Sequence, residues 1–408
     1  MLYEFWQNFT HNLFKPLLLF FYLGFLMPIL KVRFDFPYVI YQGLTMYLLI
    51  AIGWQGGEEL AKIKPADIDN IAGFIVLGFA LNFVIGALAY FLLRYLTAMR
   101  RVDRATVAGY YGSDSAGTFA ICVAVLTSAG IAFNAYMPVM LAIMEIPGCL
   151  VALYLVARLR HNGMDEAGFM PDEPGYTAPA KVGPGAATRR GPTESLDAQV
   201  ERGVEQELEL SLEKREHPEW YDKTRERKRA SLFSRDLLQE VFLNPGLILL
   251  VGGIIIGFIS ALQGQKVVHD HDQFFVAAFH GVLCLFLLEM GMTASRKLRD
   301  LQLAGRGFIF FGLLAPNLFA TLGILVAYTY SYLTDTHFQP GTYVLFAVLC
   351  GAASYITLPA VQRLAIPEAS PTLPLAASLG LTFSYNVTIG IPLYIEIVRM
   401  AGHWFPGT

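Results

Sequence analysis

The chain has 408 residues, of which 55% are hydrophobic and 15% are charged, and its formal net charge is −3. The charged residues cluster in 159–236, whereas 13–158 and 237–399 are almost continuously apolar. This clustering excludes an ordinary soluble domain, in which polar residues recur at helical or strand periods along the whole chain. The composition therefore predicts an all-α polytopic membrane protein.

Ten apolar segments are predicted to cross the membrane, because each approaches the ~20 residues that span a ~30 Å hydrocarbon core. In chain order they lie at about 13–30, 37–54, 71–95, 102–130, 135–157, 237–262, 273–292, 304–330, 341–365 and 374–398. The loop at 159–236 separates five spans in 1–158 from five in 237–408. An odd number of spans per half would insert the second half upside down, so we predict two inverted five-helix repeats.

Spans four and nine carry the same motif, G-x-x-S-x-x-T, at 112–118 and 351–357. An Ile-Pro pair likewise occurs in span five at 146–147 and in span ten at 391–392. Small polar residues at membrane depth leave backbone groups unpaired, which is tolerated only where the backbone lines a protein cavity. The two motifs therefore predict a pair of crossed, broken helices and, in a repeat-built transporter, the place where substrate binds.

Lys and Arg residues in the short connections predict the orientation, because cytoplasmic loops carry an excess of both. One face receives Lys31, Arg33, Arg94, Arg100, Arg101, Arg104, Arg296, Lys297, Arg299, Arg306 and Arg363, whereas the other receives only Lys62, Lys64, Lys266 and Arg399. We therefore expect both termini outside and the 159–236 loop in the cytoplasm.

The central loop has two parts of different composition. Residues 162–193 are rich in Gly, Pro and Ala and are predicted to be disordered. Residues 194–230 mix acidic and basic side chains, and their basic end could lie against anionic headgroups. This second part is either a solvated linker or a regulatory docking element.

The two breaks are predicted to form an anion site. Spans four and nine would run antiparallel, so that the N-termini of their second half-helices point at one place with free N–H groups and positive dipole ends. Hydroxyl groups could add donors, namely Ser113, Ser115 and Thr118 from one break and Ser354 and Thr357 from the other. Because neither break contains Lys or Arg, a weakly held monoanion of the planar oxyanion type fits best. Alternatively, the small residues only allow tight packing, with hydroxyls bonded to the preceding turn.

Asp114 adds a carboxylate to the first break. It could simply cap the second half-helix. An ionised Asp at membrane depth otherwise needs a partner, and no basic residue is near in sequence. Bound Na+, coordinated by Asp114, hydroxyls and exposed carbonyls, would supply that partner; the alternative is that Asp114 binds a proton and H+ is the coupling ion.

Two further polar residues are candidates. Glu145 lies inside span five, where Pro147 removes a helix hydrogen bond and frees a carbonyl, so it could join the cation site or a gate. It could equally face water or bridge helices. Asparagines within the spans, Asn82, Asn317 and Asn386, are expected more often to bridge helices than to bind ligand, and Asn386 is the strongest candidate for binding because Thr382, Ser384 and Thr388 surround it.

The chain resembles the sodium-dependent bicarbonate transporters, known from cyanobacteria and other bacteria. The likeness covers both membrane halves and rests on Gly53–Gly57, Arg101–Thr118, Met144–Pro147, Glu289–Met292, Arg363–Pro367 and Asn386–Pro392. It implies ten helices in inverted repeats, a homotrimer in the inner membrane, and Na+-coupled bicarbonate uptake. It also implies a PII-like regulatory protein as a possible partner at the cytoplasmic face.

By matching position, the resemblance and the residue pattern together give two sets of site residues. The predicted anion-binding residues are Ser113, Ser115, Ala116, Gly117, Thr118, Ala353, Ser354, Tyr355, Ile356 and Thr357. The predicted sodium-binding residues are Gly112, Asp114, Ser115, Glu145 and Asn386.

Three functional hypotheses remain open on the sequence. The first is a secondary active symporter of Na+ and bicarbonate that works by alternating access. The second is Na+- or H+-coupled uptake of another small carboxylate or oxyanion. The third is a membrane sensor that binds a ligand at the breaks and signals through the central loop. An enzyme is not expected, because the eight histidines are dispersed and no catalytic grouping emerges.

Overall fold

The computed structural model describes residues 16–34, 36–63, 68–177, 243, 245–300 and 305–404. Every described secondary-structure element is helical. We number the helices α1 (Pro16–Ile29), α2 (Tyr38–Leu60), α3 (Ile68–Leu96), α4 (Arg101–Tyr111), α5 (Ala116–Ser128), α6 (Met137–Met144), α7 (Ile146–His161), α8 (Pro245–Gln263), α9 (Gln265–Asp272, continued by a π-helical turn Gln273–Ala277), α10 (Phe279–Asp300), α11 (Arg306–Thr334), α12 (Pro340–Gly351), α13 (Thr357–Ala365), α14 (Thr372–Leu375, continued by π-helical turns Ala376–Phe383 and Asn386–Gly390) and α15 (Ile391–Trp404).

Six of the described helical stretches are long and apolar enough to cross a membrane. They are Ile68–Leu96, Met137–His161, Pro245–Gln263, Lys266–Leu298, Arg306–Thr334 and Thr372–Gly402, and α1 and α12 are shorter apolar helices. Large apolar side chains such as Val76, Phe91, Ile255 and Leu325 are exposed on their outer faces. Apolar surface of this extent suits contact with lipid. The chain is therefore a multi-pass membrane protein.

The predicted interruptions of spans four and nine are present. In the first, α4 ends at Tyr111 and α5 begins at Ala116, where the extended residue Ser115 accepts a hydrogen bond from the backbone N–H of Thr118. This N-cap starts the second half-helix, because it satisfies a donor that has no partner within the helix. In the second, α12 ends at Gly351 and α13 begins at Thr357.

Helices α1, α2, α8 and α10 form a four-helix group that is held by close glycine contacts. A Cβ added to Gly57 of α2 would lie 2.0 Å from the carbonyl oxygen of Ile254 in α8. A Cβ added to Gly24 of α1 would likewise lie 2.0 Å from the carbonyl oxygen of Leu288 in α10. Small residues allow membrane helices to approach to backbone contact, so α2 packs tightly on α8 and α1 packs tightly on α10.

Helix α9 packs beside the four-helix group, and the remaining helices form a broken-helix group around the two interruptions, with contacts that repeat between the halves. In the first half α4 packs against α3 and α7; in the second half α12 packs against α11 and α15. The half-helices then cross over, since α5 contacts the π-helical turn Asn386–Gly390 and α13 contacts α7.

The start of the central loop is folded, so the prediction of disorder for 162–193 is wrong for residues 162–177, which we call the docked segment. Asp165 organises it: its carboxylate accepts hydrogen bonds from the backbone N–H groups of Ala167 (3.0 Å), Phe169 (2.8 Å) and Thr177 (2.8 Å). The rest of that prediction, 178–193, and the predicted regulatory part, 194–230, lie outside the described residues.

Candidate anion and cation site at the broken helices

The two breaks contact each other directly. The backbone N–H of Ser354 in the second break donates to the carbonyl of Tyr110 at the end of α4, at 2.8 Å. The hydroxyl of Tyr355 lies beside Gly117, only 1.8 Å from where a Cβ on that residue would be. The residues predicted for anion binding therefore lie together, and all of them are buried except the half-buried Ile356.

Several hydroxyl groups expected to face the anion already donate to protein atoms. Ser113 donates to the carbonyl of Glu145 at 2.7 Å, Thr118 donates to Ser115 Oγ at 2.9 Å, and Thr357 donates to Glu145 Oε1. A hydroxyl has one proton to give, so these three are used within the protein. Tight packing with internally bonded hydroxyls thus accounts for part of the motif.

Three other hydroxyls donate to no described residue in a hydrogen bond of good geometry. Ser115 Oγ accepts from Thr118, and Ser354 Oγ accepts weakly from the backbone N–H of Leu358 at 3.5 Å. The Tyr355 hydroxyl points toward Ser115 but makes no hydrogen bond of good geometry with a described residue. Because a buried hydroxyl without a partner is unfavourable, Tyr355 is the clearest unsatisfied donor at the junction.

Asp114 is completely buried, and neither of its carboxylate oxygens accepts a hydrogen bond from a described residue. The cap of α5 is Ser115, so the alternative in which Asp114 is merely a cap is wrong. Among the described residues, Glu145 is the acid close enough for its charge to repel that of Asp114. An ionised carboxylate in such a place costs several kcal/mol unless a cation or a proton accompanies it.

Glu145 connects span five to both breaks. It lies between α6 and α7, where Pro147 occupies the first turn of α7 and the helical bonding is interrupted. Its carbonyl accepts from Ser113 and its side chain accepts from Thr357, while the neighbouring carbonyl of Met144 accepts from Asn82 at 2.8 Å. Asn82 thus bridges helices, as predicted.

Asn386 and Gly112 lie at the edges of the junction. The amide of Asn386 donates to the carbonyl of Gly351 at 2.8 Å, and its oxygen accepts from Tyr394 at 2.8 Å. These contacts hold the end of α12 and give no support to the predicted sodium-binding role of Asn386. Gly112 packs closely against Gly86 and Gly148, which explains the need for glycine there. Ala353 is buried inside the second break.

A small cavity lies where the breaks meet the four-helix group. From the broken-helix group it is lined by Ala116, Gly117, Ala120 and Ile356, and from the four-helix group by Thr45, Leu48, Leu49, Ile52 and Phe286. Three of the predicted residues, Ala116, Gly117 and Ile356, thus face the boundary between the two groups. The lining residues of α2 and α10 were missed on the sequence, because ordinary apolar residues in a membrane span carry no motif.

A protein-family model described as the Na+-dependent bicarbonate transporter superfamily matches residues 16–399 of the chain. The chain belongs to this superfamily. No curated protein matches the chain. The resemblance inferred from the motifs is confirmed, and membership of this superfamily supports a transporter role rather than that of an enzyme.

The break residues fit the sodium ion that the superfamily's name implies. Among the described residues there is no group of three or more His, Cys, Asp or Glu side chains that could hold a metal. The orphaned carboxylate of Asp114, together with hydroxyl and backbone carbonyl oxygens, is instead an all-oxygen donor set. Hard cations prefer oxygen ligands, so the residues of this superfamily member suit Na+ better than a transition metal.

Proposed function

We propose that the chain is a secondary active transporter that carries Na+ and bicarbonate together into the cell. The observation that carries the proposal is the buried Asp114 carboxylate, which has no hydrogen-bond partner among the described residues and lies in the break of α4 and α5. Membership of the Na+-dependent bicarbonate transporter superfamily supports the choice of cation and anion.

Asp114 gives a physical reason for coupling. Its negative charge repels an anion at the adjacent N-terminus of α5, and in a low-dielectric site this repulsion is strong. Na+ held by Asp114 removes the repulsion and makes binding of the anion favourable. By linkage the anion must raise the affinity for Na+ by the same factor. Neither solute then binds well alone, which is the condition for tight symport.

The anion would be held by groups of partial charge. The N-termini of α5 and α13 offer backbone N–H groups and positive dipole ends, and Ser115, Ser354 and Tyr355 offer hydroxyl protons. Because no guanidinium or ammonium takes part, the anion can also leave. A small planar oxyanion such as bicarbonate suits donors that converge from two sides.

Alternating access would arise at the boundary between the two groups of helices, where the cavity beside Gly117 and Ile356 lies. Movement of the broken-helix group against the four-helix group would change which side of the membrane this cavity faces. The repeated pairing of α4 with α3 and α7, and of α12 with α11 and α15, supports the predicted inverted repeats. The homotrimer, the inner-membrane location and the PII-like partner belong to the same proposal and rest on the resemblance.

The test is uptake of labelled bicarbonate into proteoliposomes with and without an inward Na+ gradient. We expect uptake that depends on the gradient, and loss of that dependence in Asp114→Asn, which removes the charge at nearly constant volume. Asp172→Asn is the matched control, since Asp172 is an exposed acid of the docked segment. Gradient-independent uptake in the wild type, or unchanged coupling in Asp114→Asn, would contradict the proposal.

The same assay separates the rival functions. Asp114 could bind a proton instead of Na+, because a proton also neutralises a buried carboxylate. In that case a pH gradient alone would drive uptake. Uptake of another small carboxylate or oxyanion, but not of bicarbonate, would change the substrate. Ligand binding without any flux would favour a sensor.

A further inference from the structure

The short helix α13 carries part of the proposed site, but its own hydrogen bonds do little to stabilise it. It has nine residues, Thr357–Ala365. The side chain of its N-cap residue Ile356 makes no capping bond, so that among the described residues only the weak 3.5 Å bond from Leu358 N–H to Ser354 Oγ caps the helix. A helix of this length, ~13 Å, is only marginally stable on its own. The position of Ser354, Tyr355 and Thr357 at its N-terminal end therefore depends on contacts with other elements.

Helix α7 contacts α13 and holds it at both ends. At the inner end, Thr357 donates to the Glu145 carboxylate, which directly precedes α7. At the cytoplasmic end, Arg160 in the last turn of α7 donates to the carbonyl of Ala365, the last residue of α13, at 2.7 Å. A cation at a helix C-terminus also interacts favourably with the helix dipole.

The contact at the cytoplasmic end is strong. Arg160 binds both carboxylate oxygens of Glu368, with Nε to Oε1 at 3.0 Å and Nη2 to Oε2 at 2.6 Å. The Glu368 side chain is only 7% exposed, so water screens this pair poorly. A bidentate arginine–carboxylate pair fixes geometry as well as distance. We call Arg160, Glu368 and the Ala365 carbonyl the cytoplasmic clamp.

The docked segment braces the clamp. Arg100 donates to the carbonyl of Ala167 at 2.8 Å and pairs with Asp103, whose Oδ1 accepts from the backbone N–H of Ser370 at 2.8 Å. Gly168, with φ of +85°, packs against the backbone of Glu368. The start of α4 and the turn after α13 are thereby tied together.

On the opposite face, the contacts between the two halves involve neutral groups. There the start of α12 is held by the loop between α5 and α6. The backbone N–H of Gly341 donates to the carbonyl of Ala132 at 2.8 Å, and the hydroxyl of Thr342 donates to the side-chain oxygen of Asn134 at 2.6 Å. Among the described residues, no ion pair joins these two elements. The described ties between these two elements are therefore all neutral, whereas the clamp is charged.

We propose that Arg160 is a positioning residue for the substrate site. Through the cytoplasmic clamp it sets the position of α13, and with it the alignment of Ser354, Tyr355 and Thr357 with α5. Releasing the clamp would lower the affinity for the anion more than the maximal rate, because the binding groups would spend less time aligned. This role rests on the proposed function, since it concerns the affinity of the same site.

The test compares bicarbonate uptake by the full-length wild type, Arg160→Gln, Arg160→Lys and Glu368→Gln in proteoliposomes with an inward Na+ gradient. We expect KM to rise roughly tenfold in Arg160→Gln and in Glu368→Gln, with a maximal rate within about twofold of the wild type. Arg160→Lys keeps the charge and should recover part of the affinity. Arg399→Gln is the matched control, because it breaks the more exposed Arg399–Glu396 pair, which lies within α15.

A second measurement does not depend on transport. Amide hydrogen exchange in 357–365 should become faster in Arg160→Gln and stay unchanged in Arg399→Gln. If the wild type carries no bicarbonate, the proposed function fails, while the exchange result still decides whether the clamp positions α13. Unchanged exchange in 357–365 would overturn the inference, and so would a loss of maximal rate at constant KM.

Discussion

The two breaks touch where Tyr355 of the second break packs against Gly117 of the first, a residue that has no side chain. Tyr355 crosses from the second break and places its hydroxyl at the first turn of α5. Its ring packs edge-on against Phe383, with centroids 5.4 Å apart. The hydroxyl can reach the start of α5 only because Gly117 leaves the space free.

Gly117→Ala should therefore destabilise the protein, by about 1–3 kcal/mol as is usual for overpacking. The added Cβ would lie 1.8 Å from the Tyr355 hydroxyl, 3.1 Å from its ring carbon Cζ and 3.2 Å from Phe286, so Gly117→Ala combined with Tyr355→Phe should recover part of the loss. Thermal unfolding in detergent measures both variants.

Gly43→Ala is the matched control for this prediction, because a Cβ there meets nothing within 4 Å. It should leave the unfolding temperature unchanged or raise it slightly, since Ala favours helix over Gly. Equal effects of Gly117→Ala and Gly43→Ala would contradict the close contact between the breaks.

At the scale of elements, the docked segment behaves as a folded unit because Asp165 ties its two ends together. Burial of the Asp165 carboxylate opposes ionisation, but hydrogen bonds from the backbone N–H groups of Thr177, Phe169 and Ala167 outweigh it and hold the pKa of Asp165 below its ordinary value. Arg100 stacks over the Phe169 ring at 5.0 Å and attaches the segment to the start of α4.

The lowered pKa of Asp165 predicts a pH dependence for the docked segment. The ionised carboxylate stabilises the folded segment fully above the ordinary Asp value of about 3.9, and this stabilisation is lost as pH falls through the lower pKa of the folded state. Amide protection factors in 165–177, corrected for the intrinsic exchange rate, should therefore drop in strong acid. Asp165→Asn should lose that protection at neutral pH and match the wild type in acid; equal protection at neutral pH would contradict the prediction.

Much of the helical plan could be predicted from the sequence, since it depends on local features. Apolar length indicates the spans, and small residues such as Gly112 and Ser354 indicate where two of them are interrupted. The docked segment could not be predicted, because its Gly- and Pro-rich composition resembles disorder while its partners, Arg100 and Glu368, are distant in the chain. The sequence likewise indicated which hydroxyls lie at the breaks. It did not indicate which of them donate hydrogen bonds within the protein, because acceptors such as Glu145 are distant in the chain.

At the scale of the whole molecule, the charges separate into two ends. Arg100, Arg101 and Arg160 lie with the docked segment and the turn after α13. At the other end, Lys62 pairs with Glu58 and Glu59 at the end of α2, where Trp54 and Gln55 bond to α9 and the turn after it. The contacts agree with the predicted grouping of basic residues, so the orientation can be tested with one residue from each end.

Single cysteines at exposed positions provide that test. Three native cysteines are buried and Cys284 is half-buried, so Cys284→Ala gives a parent protein in which maleimide labelling of native cysteines is low. In that background we introduce Glu166→Cys in the docked segment and Lys266→Cys at the start of α9, both exposed positions. A charged, membrane-impermeant maleimide should label Lys266→Cys in intact cells and Glu166→Cys only in inside-out vesicles, because the basic end is predicted to face the cytoplasm.

The reverse pattern of labelling would place Arg160 and the docked segment outside the cell. The cytoplasmic clamp would then lie beyond the reach of any regulatory protein in the cytoplasm, including a PII-like partner. Na+-driven uptake would survive that result, because the direction of symport is determined by the ion gradient and not by which end of the protein faces inward. Orientation and transport are therefore separate claims, and the labelling pattern tests the first without relying on the second.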